Sequence, residues 1–172
     1  MTGTDDAGRS VIVSDGSVPR SHAFASIPGF ANATVWSTPA GVSRGHATGD
    51  RTTDLSTLLP EPGGSTFFIV QFPPEANMAK IDPAAAGAEQ AAHLPGLSET
   101  FDPERPGFHA TPSVDYVILL SGELWLELEA GEPVRLRQGD VVIQNGTWHA
   151  WHNRTNAPAV IAAISLGVAD AA

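Results

Sequence analysis

Residues 109–122 read HATPSVDYVILLSG and residues 139–153 read GDVVIQNGTWHAWHN. Side chains of an extended chain alternate between two faces. His109, Thr111, Ser113 and Asp115 therefore share one face of the first stretch, while Val114, Tyr116, Ile118 and Leu120 share the other. In the second stretch His149, Trp151 and Asn153 fall on one face and His152 on the opposite one. Such a polar row suits a cavity wall, and it suits a solvated face equally well. If both polar rows turn inward from neighbouring strands, His109, Asp115 and His149 converge. Two imidazoles and one carboxylate occupy three corners of a metal and leave positions open for substrate, water or oxygen, which suits Fe(II), Mn(II) or Zn(II) alike.

Outward from these stretches, residues 108–164 are a succession of short apolar runs cut by tight turns. Val114–Leu120 ends at Ser121-Gly122, Glu123–Glu129 at Ala130-Gly131, and Val134–Arg137 at Gln138-Gly139-Asp140. Val141–Gln144 ends at Asn145-Gly146, and Trp148–Asn153 and Ala159–Ser165 complete the set. Six closely spaced strands joined by turns predict an antiparallel sandwich or barrel. Leu124, Leu126 and Leu128 alternate with Glu123, Trp125 and Glu127, so one row packs inward; the glutamates suit a solvated face, with Arg135 and Arg137 as partners.

Upstream the signals are sparser. The first ten residues are polar and predict a disordered start, with a short strand at Val11–Val13. Strands are expected at Ala33–Ser37 and Thr66–Phe72, and Pro39–Leu59 reads as a surface excursion ended by Pro60-Glu61-Pro62-Gly63-Gly64. One helix is expected over about 83–93, capped by Asp82 with Pro83 at its first position and closed by Pro95-Gly96. His93 ends it, where a cationic side chain suits the helix dipole. No chemistry is assigned to His22 or His46.

The order and spacing of the two quoted stretches resemble the cupin superfamily. Its first motif has two histidines one residue apart, a carboxylate three or four further on, and a glycine after six more; here His109, Thr111, Asp115 and Gly122 match. Its second motif begins with glycine and ends Gly-x-x-His-x-x-x-Asn; here Gly139, Gly146, His149 and Asn153 match. Thr111 replaces a usual metal-binding histidine, Asp115 the usual glutamate, and Asn145 stands near the usual proline. The chain looks most like small bacterial cupins with an N-terminal extension and an His-x-Thr-x-x-x-Asp-Tyr first motif. The resemblance covers about residues 105–168 and implies an all-β jelly-roll barrel, a double-stranded β-helix. Residues 1–104 would be an extension that adds strands and an outer helix to the same structural domain. It also implies that the first-motif residues and His149 line the barrel interior, and that the protein is a homodimer.

Composition bounds the function. Nineteen acidic against nine basic residues give a net charge of −10, which repels phosphate backbones and anionic lipid. Lys80 is the single lysine. The absence of cysteine removes disulfides, thiolate metal sites and cysteine nucleophiles. No apolar run is long enough to span a bilayer and no signal peptide is visible, so a cytoplasmic protein is expected, acting on a small molecule without nucleic-acid or membrane partners.

The leading expectation is an enzyme with a divalent metal on His109, Asp115 and His149, performing oxygenase-like or lyase chemistry. Asp115, His149 and Thr111 would be catalytic; Thr111, Ser113, Trp151 and Arg154 would contact substrate. One alternative is a metal-free cyclase, isomerase or dehydratase with Asp115 and His149 as acid and base. Another is a small-ligand binding or sensing module.

Overall fold

The computed structural model describes residues 1–43, 49–79 and 81–169; His46 and Lys80 lie outside them. Among the described residues eleven strands form three sheets, accompanied by two α-helices. β1 (Thr2–Thr4) and β2 (Ser10–Ile12) form a separate antiparallel hairpin. The start expected to be disordered is thus paired: Asp5 accepts from the amides of Ala7 and Arg9 and holds the Arg9 guanidinium, which closes the turn.

β3 (Arg20–Ala23), β4 (Ala31–Thr38) and β5 (Ser65–Phe72) follow. Then come α1 (Glu75–Met78) and α2 (Pro83–His93). Asp82 caps α2, accepting from the Ala84 amide at 2.9 Å with Pro83 at the first position, as its sequence dictates. Glu89 on α2 ties the helix to the strand edge. It takes hydrogen bonds from the Ala25 and Ser26 amides and the Ser26 hydroxyl, and pairs with His22. The Ser26 and His22 contacts are the main reason its carboxyl is held down at about 2. His93 lies flat on His22, with centroids 3.4 Å apart.

The barrel strands are β6 (Ser113–Ser121), β7 (Glu123–Leu128), β8 (Val134–Arg137), β9 (Val141–Asn145), β10 (His149–His152) and β11 (Ala159–Gly167). Each lies within two residues of its sequence expectation at either end. A six-stranded sheet runs β3-β4-β5-β11-β6-β9 and a three-stranded sheet runs β10-β7-β8. All pairings are antiparallel. The two faces that meet hold Val117, Leu119, Leu124, Leu126, Leu136 and Ile161. Leu124 is wholly buried, a contribution of about 1.5–3 kcal/mol, which settles that the leucine row of β7 is the inner one.

The stretch expected to be a surface excursion is in part interior. Leu58 is 1% exposed and joins Phe24, Ile27, Phe68, Ala86 and Leu94 in a second apolar cluster. Its amide donates to the Pro95 carbonyl at 2.8 Å, and Gly63 and Gly64 are bonded to Gly167 at the end of β11. Low periodicity conceals this docking, because scattered side chains (Thr52, Leu55 and Leu58) anchor the loop rather than one regular face of it.

Candidate active site

The space between the sheets is a cavity of about 220 Å³. Phe30, Phe68, Phe72, Phe101 and Trp151 supply aromatic walls, and Leu58, Leu94 and Leu97 close it with aliphatic surface. Its polar lining includes His109, Thr111, Asp115, His149 and Ser165. Among the described residues no lysine or arginine lines it.

The backbone brings the two histidines together. His109 and His149 face each other as an antiparallel bridge, each amide donating to the other's carbonyl at 3.0 Å. Directly paired residues point to the same side, and the ring centroids are 4.2 Å apart. His109 also stacks on Phe101 at 4.6 Å, and His149 meets Trp151 edge-on at 5.6 Å.

Both imidazoles are oriented from behind. His109 Nδ1 lies 3.1 Å from the Gly107 carbonyl oxygen and His149 Nδ1 lies 2.9 Å from that of Thr147. A carbonyl only accepts, so each Nδ1 carries the proton and donates it, leaving Nε2 with its lone pair in the neutral ring. Burial, reinforced by the neighbouring His149, holds His109 down at about 4 against the pull of the Gly107 carbonyl. Burial also lowers His149, opposed by Thr147 and by the charge of Asp115. A site histidine with its folded value below 6.5 binds protons more readily when unfolded. Stability therefore falls as pH drops from about 6.5 towards 4. NMR titration of His109 should give a midpoint near 4; a midpoint at the ordinary value would show that the ring is solvated.

Asp115 sits on β6, in the facing sheet, and is 8% exposed. Ser113 Oγ donates to Oδ1 at 2.7 Å, Thr111 Oγ1 donates to Oδ2 at 3.4 Å, and the two hydroxyl oxygens are 2.8 Å apart. A divalent metal of the two-histidine, one-carboxylate kind therefore finds two donors ready: both Nε2 lone pairs are free and backed by fixed hydrogen bonds, as in metal-ligating histidines. It does not find the third. Among the described residues no three His, Asp or Glu side chains gather closely enough to hold one ion. The expected ligand Asp115 stands apart from the imidazole pair, because parity fixes its face but not which sheet carries it.

Other expectations divide. Thr111 and Trp151 line the cavity, as read from the sequence. Ser113 is buried behind Asp115 and is not part of the lining, so it holds the carboxylate rather than a substrate. Arg154 is exposed and lies over the Trp125 ring at 5.7 Å, outside the cavity; chain proximity to His149 does not place it there. His152 does face away, bonded to Glu75 through Nδ1 and 2.8 Å from Glu127 through Nε2. Asn153 is 2% exposed and ties the loop after β10 by donating to the Phe72 and Ala157 carbonyls. Sequence reasoning missed the aromatic walls at Phe30, Phe68, Phe72 and Phe101. The alternation in Thr66–Phe72 was the available signal for two of them.

Residues 98–165 match the family model described as a cupin domain. Over 56 residues the chain is 46% identical to phomopsin biosynthesis cluster protein C' of Diaporthe leptostromiformis, covering 30% of each chain. It is 47% identical over 47 residues to the cupin-domain-containing oxidoreductase virC of Hypocrea virens, covering 27% of this chain and 24% of the relative. The chain thus spans about a third or less of the length of the curated relatives it matches. Among solved structures, a double-stranded β-helix protein of Klebsiella pneumoniae is similar with a TM-score of 0.39. It is 16% identical, covering 74% of this chain and 82% of that one. Residues 98–165 of this chain are a cupin domain, and its fold is all-β.

Proposed function

We propose that this chain is a small-molecule enzyme of the cupin type, acting on an uncharged, largely apolar molecule whose reacting group lies against the His109–His149 pair. The observation that carries the reading is the pair itself: two neutral imidazoles with free Nε2 atoms on the wall of an apolar cavity. A lining without lysine or arginine disfavours carboxylate and phosphate substrates. The aromatic walls bind and orient the apolar body, and burial excludes water from the imidazoles. Thr111 places a hydroxyl beside Asp115, where it can hold a substrate oxygen.

His109 and His149 would offer two Nε2 donors to a divalent Fe, Mn or Zn ion; as placed, Asp115 does not complete the set. Bound there, the ion supplies Lewis-acid or oxygen-dependent redox chemistry. Relatives from Hypocrea virens and Neurospora crassa named as cupin-domain-containing oxidoreductases support the redox alternative. A second reading rests on the separation of Asp115 from the imidazoles. In a metal-free site, His149 Nε2 would take a proton from the substrate and Asp115, held by Ser113, would act as its acid–base partner.

Elemental analysis of protein purified without chelator or affinity-tag metal tests the first reading, beside His149→Ala. About one Fe, Mn or Zn per chain, lost in the variant, is expected. No metal bound, and none taken up by the apo protein, overturns the metal reading and leaves the proton-transfer reading.

A further inference from the structure

Asn32 is a buried polar side chain on the cavity wall without a partner in the protein. It lies on β4, on the inward row opposite Val70 of β5. It is 7% exposed and lines the cavity, with no hydrogen bond from its side chain to the described residues. Asn153, the other asparagine of the lining, is fully engaged by the Phe72 and Ala157 carbonyls and by Thr155. Asp115 and both imidazoles are likewise held from within the protein. Phe30, Phe68, Val70 and Leu94 share the wall with Asn32, so packing alone favours a leucine there. A buried amide without partners is costly.

Gln90 supplies a second carboxamide to the same lining. It stands on the inward stripe of α2, one turn after Ala86 and one turn before Leu94. It is half-buried, and its side chain is also without a hydrogen bond. Both groups lie away from the reactive end. The row of Asn32 continues through Val70 to Ile161 of β11, and the row of Asp115 through Ser165. Ile161 and Ser165 are four residues apart on that strand, roughly 13 Å at about 3.3 Å per residue. Asn32 and Leu94 also wall a second hollow, bordered by Arg20, His22 and His93 but by none of His109, Asp115 and His149. Asn32 thus marks the opposite end of the cavity.

We propose that Asn32 and Gln90 form the specificity end of the cavity and take the N–H and C=O of a neutral amide carried by the substrate. A carboxamide offers a donor and an acceptor side by side. It is matched by a group that presents both, as an amide does without charge. One carboxamide from a strand and one from a helix serve the two sides of a single amide, whereas an ester or ketone leaves a buried acceptor unpaired. The substrate class is an elongated, uncharged molecule whose apolar body separates its reacting group from an amide. This deepens the proposed reading of the cavity and rests on it.

The probes are the acetamide of phenylhexylamine and the acetate ester of the matching alcohol, which keeps the carbonyl and loses the N–H. Each is titrated by NMR into wild type, Asn32→Leu and Gln90→Met. Wild type is expected to bind the amide at least about tenfold more tightly than the ester, with shifts of the Asn32 side-chain amide and Trp151 indole signals. In Asn32→Leu the preference should vanish through weaker amide binding, while the ester binds as before. Thermal unfolding supplies a readout that separates recognition from structure. Replacing an unpartnered buried amide by an apolar side chain of similar size should leave Tm unchanged or higher; a clear fall in Tm with the preference intact overturns the proposal. Should Asn32→Leu fail to fold, Gln90→Met at its half-buried position carries the same expectation. Equal affinities for the two probes, with the Trp151 signal moved, overturn the inference and leave the apolar-cavity reading standing. No binding of either probe at millimolar concentration overturns both.

Discussion

Gly122→Ala is expected to cost about 3 kcal/mol or more of folding stability, a large share of the roughly 5–15 kcal/mol that holds a domain of this kind. Gly122 closes the turn from β6 to β7 at φ +77°, where an L side chain loses about 1–2 kcal/mol against its own carbonyl. A Cβ there would also lie 2.7 Å from the Pro158 carbonyl oxygen and 2.8 Å from Ala159 Cα. These are backbone atoms at the start of β11, and no rotamer change moves them. Relief requires shifting β11 against β6, next to the existing register break at Val160/Ile161. The same pairing sets Ser165 opposite Asp115, so the strain reaches the site. Gly131→Ala is the control: its φ is +89° with nothing within 4 Å of a Cβ, so it should show the backbone cost alone, about 1–2 kcal/mol. Denaturant unfolding of both variants separates the effects. Equal losses would show that the close approach of β11 is soft.

That glycine was visible in the sequence, as were all the barrel strands, because turns and alternation are local properties. Parity put His109 and His149 each on a polar row without deciding whether it faces a cavity or solvent; the bridge between the two residues makes the rows adjacent and the cavity lining turns them inward. What local pattern could not show is which rows share a sheet. Asp115 has the predicted face but belongs to the sheet opposite His149, and Arg154, five residues from His149, turns out over Trp125. The aromatic walls depend on β4 and β5 joining β11 and on Leu58 docking beneath them, contacts between segments far apart in the chain. One signal was present and easily misread. In β6 the polar row Ser113, Asp115 faces inward while Tyr116 and Leu120 face out.

Asp115→Asn is expected to leave the fold standing and remove the chemistry. The substitution keeps shape and one acceptor oxygen, and either Ser113 at 2.7 Å or Thr111 at 3.4 Å loses its acceptor. The stability loss should be about 1–3 kcal/mol, that of a buried hydrogen bond to a charged group. Turnover, in contrast, should fall by about 10²–10⁴, the typical worth of a positioned acid or base. The two readings of the site then diverge in their second observable. If the carboxylate completes a metal site, divalent-metal affinity measured by calorimetry drops together with turnover, and His149→Ala behaves alike. If it is a proton carrier, metal content is indifferent to the change and one limb of the pH–rate profile disappears. Ser113→Ala sharpens the distinction, since it frees a carboxylate oxygen without removing charge: a metal ligand should be weakened only slightly, whereas a proton carrier should show a shifted limb. A variant at position 115 that is less stable but fully active would reduce Asp115 to a strut between β6 and its neighbours, and would leave the imidazole pair to carry the chemistry of the cavity.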